Sequence, residues 1–381
     1  MIPLPVVPRM APKRIGIESW MRAQNRGRSH AESLAACPSD FRSAPPVRLE
    51  DCRGEVELFY YSDYSICNYH CPYCYVGWAP DDRKNGNTRD MFPRLVYRLS
   101  RLRHRLKLNM ENLGEWFTSK ELIDATLFLL RRENVTSVSI TTNASLLPRM
   151  SAFLDQTDVN KVAFTCTYHA TEVALEDFLH AVTALRDRGA NVVVATVCFP
   201  DNLQHCLELK HQANVLGVHF RLNLEEKLWR EATDVSQEQR FALYDLLEEH
   251  RKWDAQRRHR LLGLSETMGE PCTAGQSYLW LNSYGDLFIC SSALLLGKGM
   301  VNGRDEACLG NIFSLEENYL PTRTGDLRCP FAICSCPKDV LRQAAHQQMF
   351  RISDRTRHEV YFRSEEERTS LLAKPAVTTL R

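Results

Sequence analysis

Apolar runs and amphipathic stretches alternate along the middle of the chain. Val56–Tyr61 is a short apolar and aromatic run that predicts a strand. Thr118-Ser-Lys-Glu121 has a capping-box pattern and precedes apolar residues at helical spacing, Leu122, Ile123, Leu127 and Leu130. Ser137–Thr142 and Lys161–Thr167 are β-rich. Glu172–Arg188 predicts an amphipathic helix through Leu175, Phe178, Leu179, Val182 and Leu185, closed by Gly189. Asn191–Phe199 is a continuous apolar strand of the kind buried in parallel sheets. Leu203–Val215 predicts another helix and Val218–Leu222 another strand. The alternation predicts an α/β fold with a parallel sheet and with active residues at the C-terminal ends of its strands. It does not separate an open barrel from a doubly wound sheet.

The flanks differ. Residues 1–54 are rich in Pro, Arg and Ser without a clean period and predict an extension that wraps or frays. Residues 231–262 are charged and predict a helical connector. Beyond them come short β-like pieces, with Tyr278–Asn282 and Leu287–Ile289 as strands of a hairpin around Ser-Tyr-Gly-Asp. Of the fourteen cysteines, six lie in this last region, so cysteine chemistry is concentrated rather than scattered. A 381-residue chain with 44% hydrophobic and 25% charged residues is ordinary for a soluble enzyme. A net charge of +1 gives no field that would argue for nucleic acid or a membrane surface. With no apolar h-region near Met1 and no membrane-length apolar stretch, the expected compartment is the reducing cytoplasm, where clustered thiols serve as ligands rather than disulfides.

The densest cluster is Cys67-Asn-Tyr-His-Cys71-Pro-Tyr-Cys74, a C-x3-C-x2-C run. Three close thiolates can hold three irons of a four-iron cluster and leave the fourth iron open for chemistry. The alternative is a zinc knuckle, with His70 as a poorly placed fourth ligand. The spacing, with an aromatic residue before the last cysteine, resembles the signature of the radical S-adenosylmethionine (radical SAM) superfamily. That resemblance implies a 4Fe-4S cluster on Cys67, Cys71 and Cys74 whose open iron chelates SAM. It implies reductive cleavage of SAM to a 5′-deoxyadenosyl radical. It also sharpens the fold to a partial (β/α)6 TIM-like barrel over residues 55–230, followed by a small β-hairpin and helix domain for an auxiliary cluster.

Further cofactor contacts follow from the same resemblance. Tyr73 corresponds to the aromatic residue that lies against the adenine. Asn112-Leu113-Gly114-Glu115 is similar to the family's Gly-Gly-Glu segment, with Leu113 in place of the first glycine, and implies Gly114 and Glu115 as partners of the SAM amino group. Thr142 and Asn143 match a Thr-Asn pair near SAM. Thr165 and Thr167 offer hydroxyls to its ribose or carboxylate. Arg221, if it points inward, suits a carboxylate. His169 is a candidate acid–base or substrate residue, or a polar cap of its loop.

In the C-terminal region the spacing Cys272-x12-Gly285-x4-Cys290, with Cys308-Leu-Gly-Asn-Ile after it, looks like the opening of SPASM and twitch domains. The absence of a C-x2-C-x5-C-x3-C run implies one auxiliary 4Fe-4S cluster, held by Cys272, Cys290 and two of Cys329, Cys334 and Cys336. Four thiolates on a structural zinc would use the same residues. Cys308 is either a small buried hydrophobe or a catalytic hydrogen-atom donor, as in epimerases of the superfamily. Cys37, Cys52, Cys166, Cys198 and Cys206 are expected in the core or on the surface.

The expected domains are thus 1–54, 55–230, 231–262, 263–345 and a tail, 346–381. The implied function is hydrogen abstraction from a small molecule, ending in oxidation or epimerisation, with an electron donor such as a flavodoxin or ferredoxin. The roughly 50-residue N-terminal segment is too short for the peptide-binding module of many peptide-modifying members. A peptide maturase remains the alternative enzyme, and an iron–sulfur or zinc protein without SAM turnover the non-enzymatic one.

Overall fold

The computed structural model describes residues 28–62, 66–74, 86–224, 278–290, 308–315 and 317–323, with short pieces among 234–246, around Cys272 and Ala293, and at 351–352 and 360–361. Cys329, Cys334, Cys336 and most of the expected 231–262 connector lie outside the described residues.

Six strands carry the architecture: β1 (Glu55–Ser62), β2 (Arg105–Asn112), β3 (Val135–Thr142), β4 (Val162–Tyr168), β5 (Asn191–Cys198) and β6 (His219–Leu224). They pair in sequence order, each parallel to the next. Successive crossovers of one hand between adjacent strands place every connecting helix on the same face of the sheet. The buried contacts agree. Val56, Leu58 and Tyr60 of β1, Leu106, Leu108 and Met110 of β2, and their counterparts through Phe220 and Leu222 of β6 share one core with the helices. Those helices are α2 (Gly86–Arg101), α3 (Lys120–Leu130), α4 (Leu147–Leu154), α5 (Leu175–Asp187) and α6 (Leu203–Leu216). A doubly wound sheet would reverse its strand order and have helices on both faces. The sequential order and one-sided helices therefore give the open-barrel arrangement, an unclosed sheet. β2, α2 and α4 are the barrel elements that hydrophobic patterning did not single out.

Side chains alternate along a strand, so the other face of the same strands is distinct. It carries Glu57, Asn109, Ser139, Thr165 and Arg221, with Phe59 the large apolar exception on β1. Asn109 donates to Glu57 at 3.1 Å. Cys166, Cys198 and Cys206 fall in the helix-side core, remote from this polar face.

The edge of β1 is covered by β7 (Tyr278–Asn282), which runs parallel to it. β7 continues antiparallel into β8 (Asp286–Phe288) and then β9 (Cys308–Asn311), giving one nine-stranded sheet. The hairpin turn falls where the sequence places it. Gly285 takes φ +84, and the Asn282 side chain accepts from the amides of Tyr284 and Asp286. The C-terminal hairpin thus extends the barrel sheet, which removes an open strand edge. Arg98 of α2 fastens it, donating to the carbonyls of Ile312 and Leu315. The N-terminal extension wraps: α1 (Arg28–Ala36) and the turns after it are held by Arg94 on the Leu34 and Cys37 carbonyls and by Arg132 on those of Ala44 and Pro45.

Candidate active site

The cysteine loop leaves β1 at its C-terminal end, and its ties go to the ends of β2, β3 and β4. Ile66 is the first anchor. Its carbonyl accepts from the Glu115 amide at 2.8 Å, and a Cβ on Gly114 would lie 2.1 Å from that oxygen. Glycine at 114 is required by this close approach. Asn68 follows, donating to Ser145 at 2.8 Å and accepting from Asn143 at 3.0 Å. The His70 amide donates to Glu172 at 3.1 Å. His169, just past β4, brings its Nδ1 to 3.3 Å from Cys71 Sγ and 2.9 Å from the Tyr73 hydroxyl. Within the loop the Cys74 amide donates to the Cys71 carbonyl, and the Tyr69 amide lies against Cys67 Sγ. Cys71 is buried, while Cys67 and Cys74 are exposed.

Glu115 is the hub beneath this loop. It is 1% exposed. Its carboxylate accepts from the Phe117 amide at 3.0 Å, the Thr142 hydroxyl at 2.8 Å and the Asn143 amide at 2.6 Å. Burial pushes its pKa up, and these three donors act against that rise. Glu115 and Thr142 therefore spend their polar atoms on joining the ends of β2 and β3. The turn after β3 holds Ala144 at φ 58, a left-handed conformation costing about 1–2 kcal/mol for a non-glycine residue. Ala144 and Ser145 amides bond back to the Thr142 and Asn143 side chains, which stabilises it. The helix α3 begins one residue later than the capping-box pattern suggests. Ser119 is its cap, accepting from the Leu122 amide, because the Thr118 hydroxyl bonds the Glu115 carbonyl at 2.6 Å.

The Tyr73 ring lies parallel to the His169 imidazole, 6.0 Å between centroids and 13° between planes. It also meets Phe199, the residue after β5, at 4.7 Å. Tyr73, His169 and Phe199 thus form an aromatic wall beside the cysteines. Phe199 and Glu172 carry no motif, and the hydrophobic pattern predicts them only as the end of an apolar strand and the start of a helix. Their one legible signal was position, just past the C-terminal ends of β5 and β4. Burial pulls the His169 pKa down to about 4 and pushes the Cys71 thiol up to about 12, with Glu172 opposing the first shift and adding to the second. His169 is a neutral ring here. It acts as hydrogen-bond partner to a cysteine that a bound metal would have to deprotonate.

Thr165 and Thr167 sit on the polar face of β4, Thr165 buried and Thr167 partly so. Arg221 lies on the same face of β6, between Phe220 and Leu222, which point into the helix-side core. Its Nε and Nη1 are buried with no hydrogen-bond partner. Cys272 and Cys290 are buried together with Phe59, Tyr278, Trp280 and Phe288, and Cys308 packs against the same group. The Cys308 thiol reaches the Gly310 carbonyl at 3.7 Å. Among the described residues, no three Cys, His, Asp or Glu side chains converge closely enough to hold a single metal ion. None of the described helices is long and apolar enough to cross a membrane.

No protein-family model and no curated protein matches the chain. Solved structures with a likeness include native anSMEcpe with bound AdoMet (16% identity, 69% of this chain and 80% of that one, TM-score 0.43). SuiB of Streptococcus suis bound to S-adenosylmethionine is similar at 14% identity over 69% and 64% of the two chains, TM-score 0.41. BtrN in complex with AdoMet and 2-DOIA shares 14% identity over 68% and 83%, TM-score 0.30. Likeness at these scores carries no argument, and the fold and site rest on the pairing and distances above.

Proposed function

We propose that the chain is a radical SAM enzyme that abstracts hydrogen from a small, polar substrate, with oxidation or epimerisation as the outcome. One observation carries this reading. Three reduced thiols at C-x3-C-x2-C spacing occupy a loop at the C-terminal mouth of a parallel open barrel, tied by a main-chain bond to the end of β2 and through side chains to the ends of β3 and β4. The donor set fits a 4Fe-4S cluster. Cys67, Cys71 and Cys74 supply three ligands, and the loop turns back on itself through the Cys74–Cys71 backbone bond. When bound, such a cluster supplies an open iron for SAM and the electron that cleaves it. The protein's part is positional. His169 and Glu172 hold Cys71 and the loop backbone, and the Glu115–Thr142–Asn143 ties fix the floor. Tyr73 and Phe199 offer apolar ring surface for a flat base. Hydroxyl and amide side chains across the polar face suit a polar small molecule.

The same reading assigns an auxiliary cluster to Cys272, Cys290 and two of Cys329, Cys334 and Cys336, and makes the reaction depend on a low-potential electron carrier such as a flavodoxin or ferredoxin. Anaerobic reconstitution with iron and sulfide, followed by dithionite and SAM, tests it. The expected product is 5′-deoxyadenosine, formed slowly without substrate. A fully assembled cluster that leaves SAM intact would overturn the enzyme reading.

A further inference from the structure

Arg221 is a cation with no anionic partner among the described residues. It stands on the polar face of β6, since Phe220 and Leu222 on either side of it enter the helix-side core. Nε and Nη1 are shut from solvent and have no hydrogen-bond partner among the described residues. A guanidinium stays charged and has only donors, so burying two of its nitrogens unpaired costs free energy that a folded protein normally recovers by pairing them. The backbone ladder aligns Arg221 with Ala195 of β5 and Ala195 with Thr167 of β4. The polar face of these three strands carries Thr165, Thr167, Asn191, His219 and Asn223 among small apolar residues, and no carboxylate. Glu57 on the far strand β1 already accepts from Asn109.

From these observations we infer that Arg221 is the anchor of an anion site for the carboxylate or phosphate of the substrate, with Thr167 the nearest hydroxyl in register. The inference rests on the proposed radical SAM reading only in calling that anion part of the substrate. The other source of a carboxylate is SAM itself. Position favours the substrate. The cysteine loop is tied to the ends of β2, β3 and β4, whereas Arg221 hangs from β6, the opposite edge of the parallel set. Five strand-to-strand steps separate β1 from β6, roughly 24 Å measured along the sheet. A SAM carboxylate held by a cluster on the cysteine loop would be committed at the near side. An anion on Arg221 lays a second molecule across the mouth between them.

The test uses the reconstituted full chain and its Arg221→Gln and Arg221→Met variants. Inorganic phosphate and succinate are titrated while the thermal midpoint is followed, and SAM affinity is measured by calorimetry. Wild type is expected to show a saturable rise of the midpoint with at least one of the two anions. Both variants should lose at least tenfold in that anion's apparent affinity, keep SAM affinity within about twofold, and unfold, ligand-free, at the wild-type midpoint or above it. A tenfold loss of SAM affinity with the anion response intact would assign Arg221 to the cofactor and overturn the inference. So would an anion response absent from wild type or equal in the variants, or a ligand-free midpoint that falls in both variants, the mark of a structural role. A wild-type anion response without SAM binding would sink the radical SAM reading and leave the anion site standing.

Discussion

The two groups of cysteines are held in opposite ways. Around Cys67, Cys71 and Cys74 nearly every anchor is a polar side chain. Asn68 bonds Asn143 and Ser145, the His70 amide bonds Glu172, and His169 reaches Cys71 and Tyr73. Around Cys272, Cys290 and Cys308 the described neighbours are mainly apolar and aromatic, with Phe59 stacked on Trp280 at 4.6 Å and Tyr278 accepting from the Trp280 indole. Directional bonds fix orientation, whereas apolar packing fixes proximity and leaves orientation to shape. The first group is thus oriented by directional bonds from the barrel itself. The second is brought near the same sheet by a hairpin that extends it.

The largest expected effect follows from that contrast. Replacing Cys67, Cys71 and Cys74 together with alanine should reduce 5′-deoxyadenosine to background and leave about four irons of the roughly eight that the two proposed clusters would hold. The Cys272→Ala, Cys290→Ala double variant should lose a similar amount of iron yet still cleave SAM. Iron and sulfide counts with product analysis check both. SAM cleavage lost equally in the two variants would erase the functional distinction between the groups.

Next comes Gly114→Ala. The added methyl meets the Ile66 carbonyl at 2.1 Å, and backbone cannot swing aside as a flexible side chain does. Overpacking of this kind costs about 1–3 kcal/mol or more, read as a lower denaturation midpoint, and it should weaken cluster retention because Ile66 adjoins Cys67. Glu115→Gln should follow closely. An amide in place of the carboxylate turns one acceptor into a donor facing amide or hydroxyl donors, at about 1–3 kcal/mol. Neither variant touches the C-terminal cysteines, so their iron should persist in both.

Much of this was legible in the sequence, and the gaps have physical causes. The strand–helix alternation gave the parallel sheet, and the C-x3-C-x2-C spacing gave the loop. One-sidedness of the helices resides in which strands pair, on which hydrophobic periodicity is silent, so it was legible only through the cysteine motif and the barrel its resemblance implies. Strand β2 has the period-2 alternation of a half-buried strand, but Arg105, Lys107, Asn109 and Glu111 leave it only three apolar residues, a weaker signal than the continuous apolar run of β5. Gly114-Glu115 was legible by its spacing, but a motif does not show that the Glu115 carboxylate also ties the Phe117 and Asn143 amides and the Thr142 hydroxyl. Glu172 and Phe199 were invisible because their roles come from tertiary position alone.

The smallest effect concerns how the C-terminal region is joined to the barrel. His104, just before β2, is buried, and its Nε2 accepts from the Leu320 amide at 3.0 Å. Only the neutral ring can accept there. Burial holds the folded-state pKa below the ordinary histidine value. The unfolded chain therefore binds a proton near pH 6.5 while the folded chain does not, and the contribution of His104 is complete above that pH and declines as pH falls toward the folded value. His104→Gln should lower the denaturation midpoint at pH 8, by about 1 kcal/mol for the altered bond. It should also remove part of the acid slope, so that variant and wild-type stabilities converge between pH 7 and about 5. Parallel curves across that range would mean that the join between the two regions does not depend on a neutral imidazole.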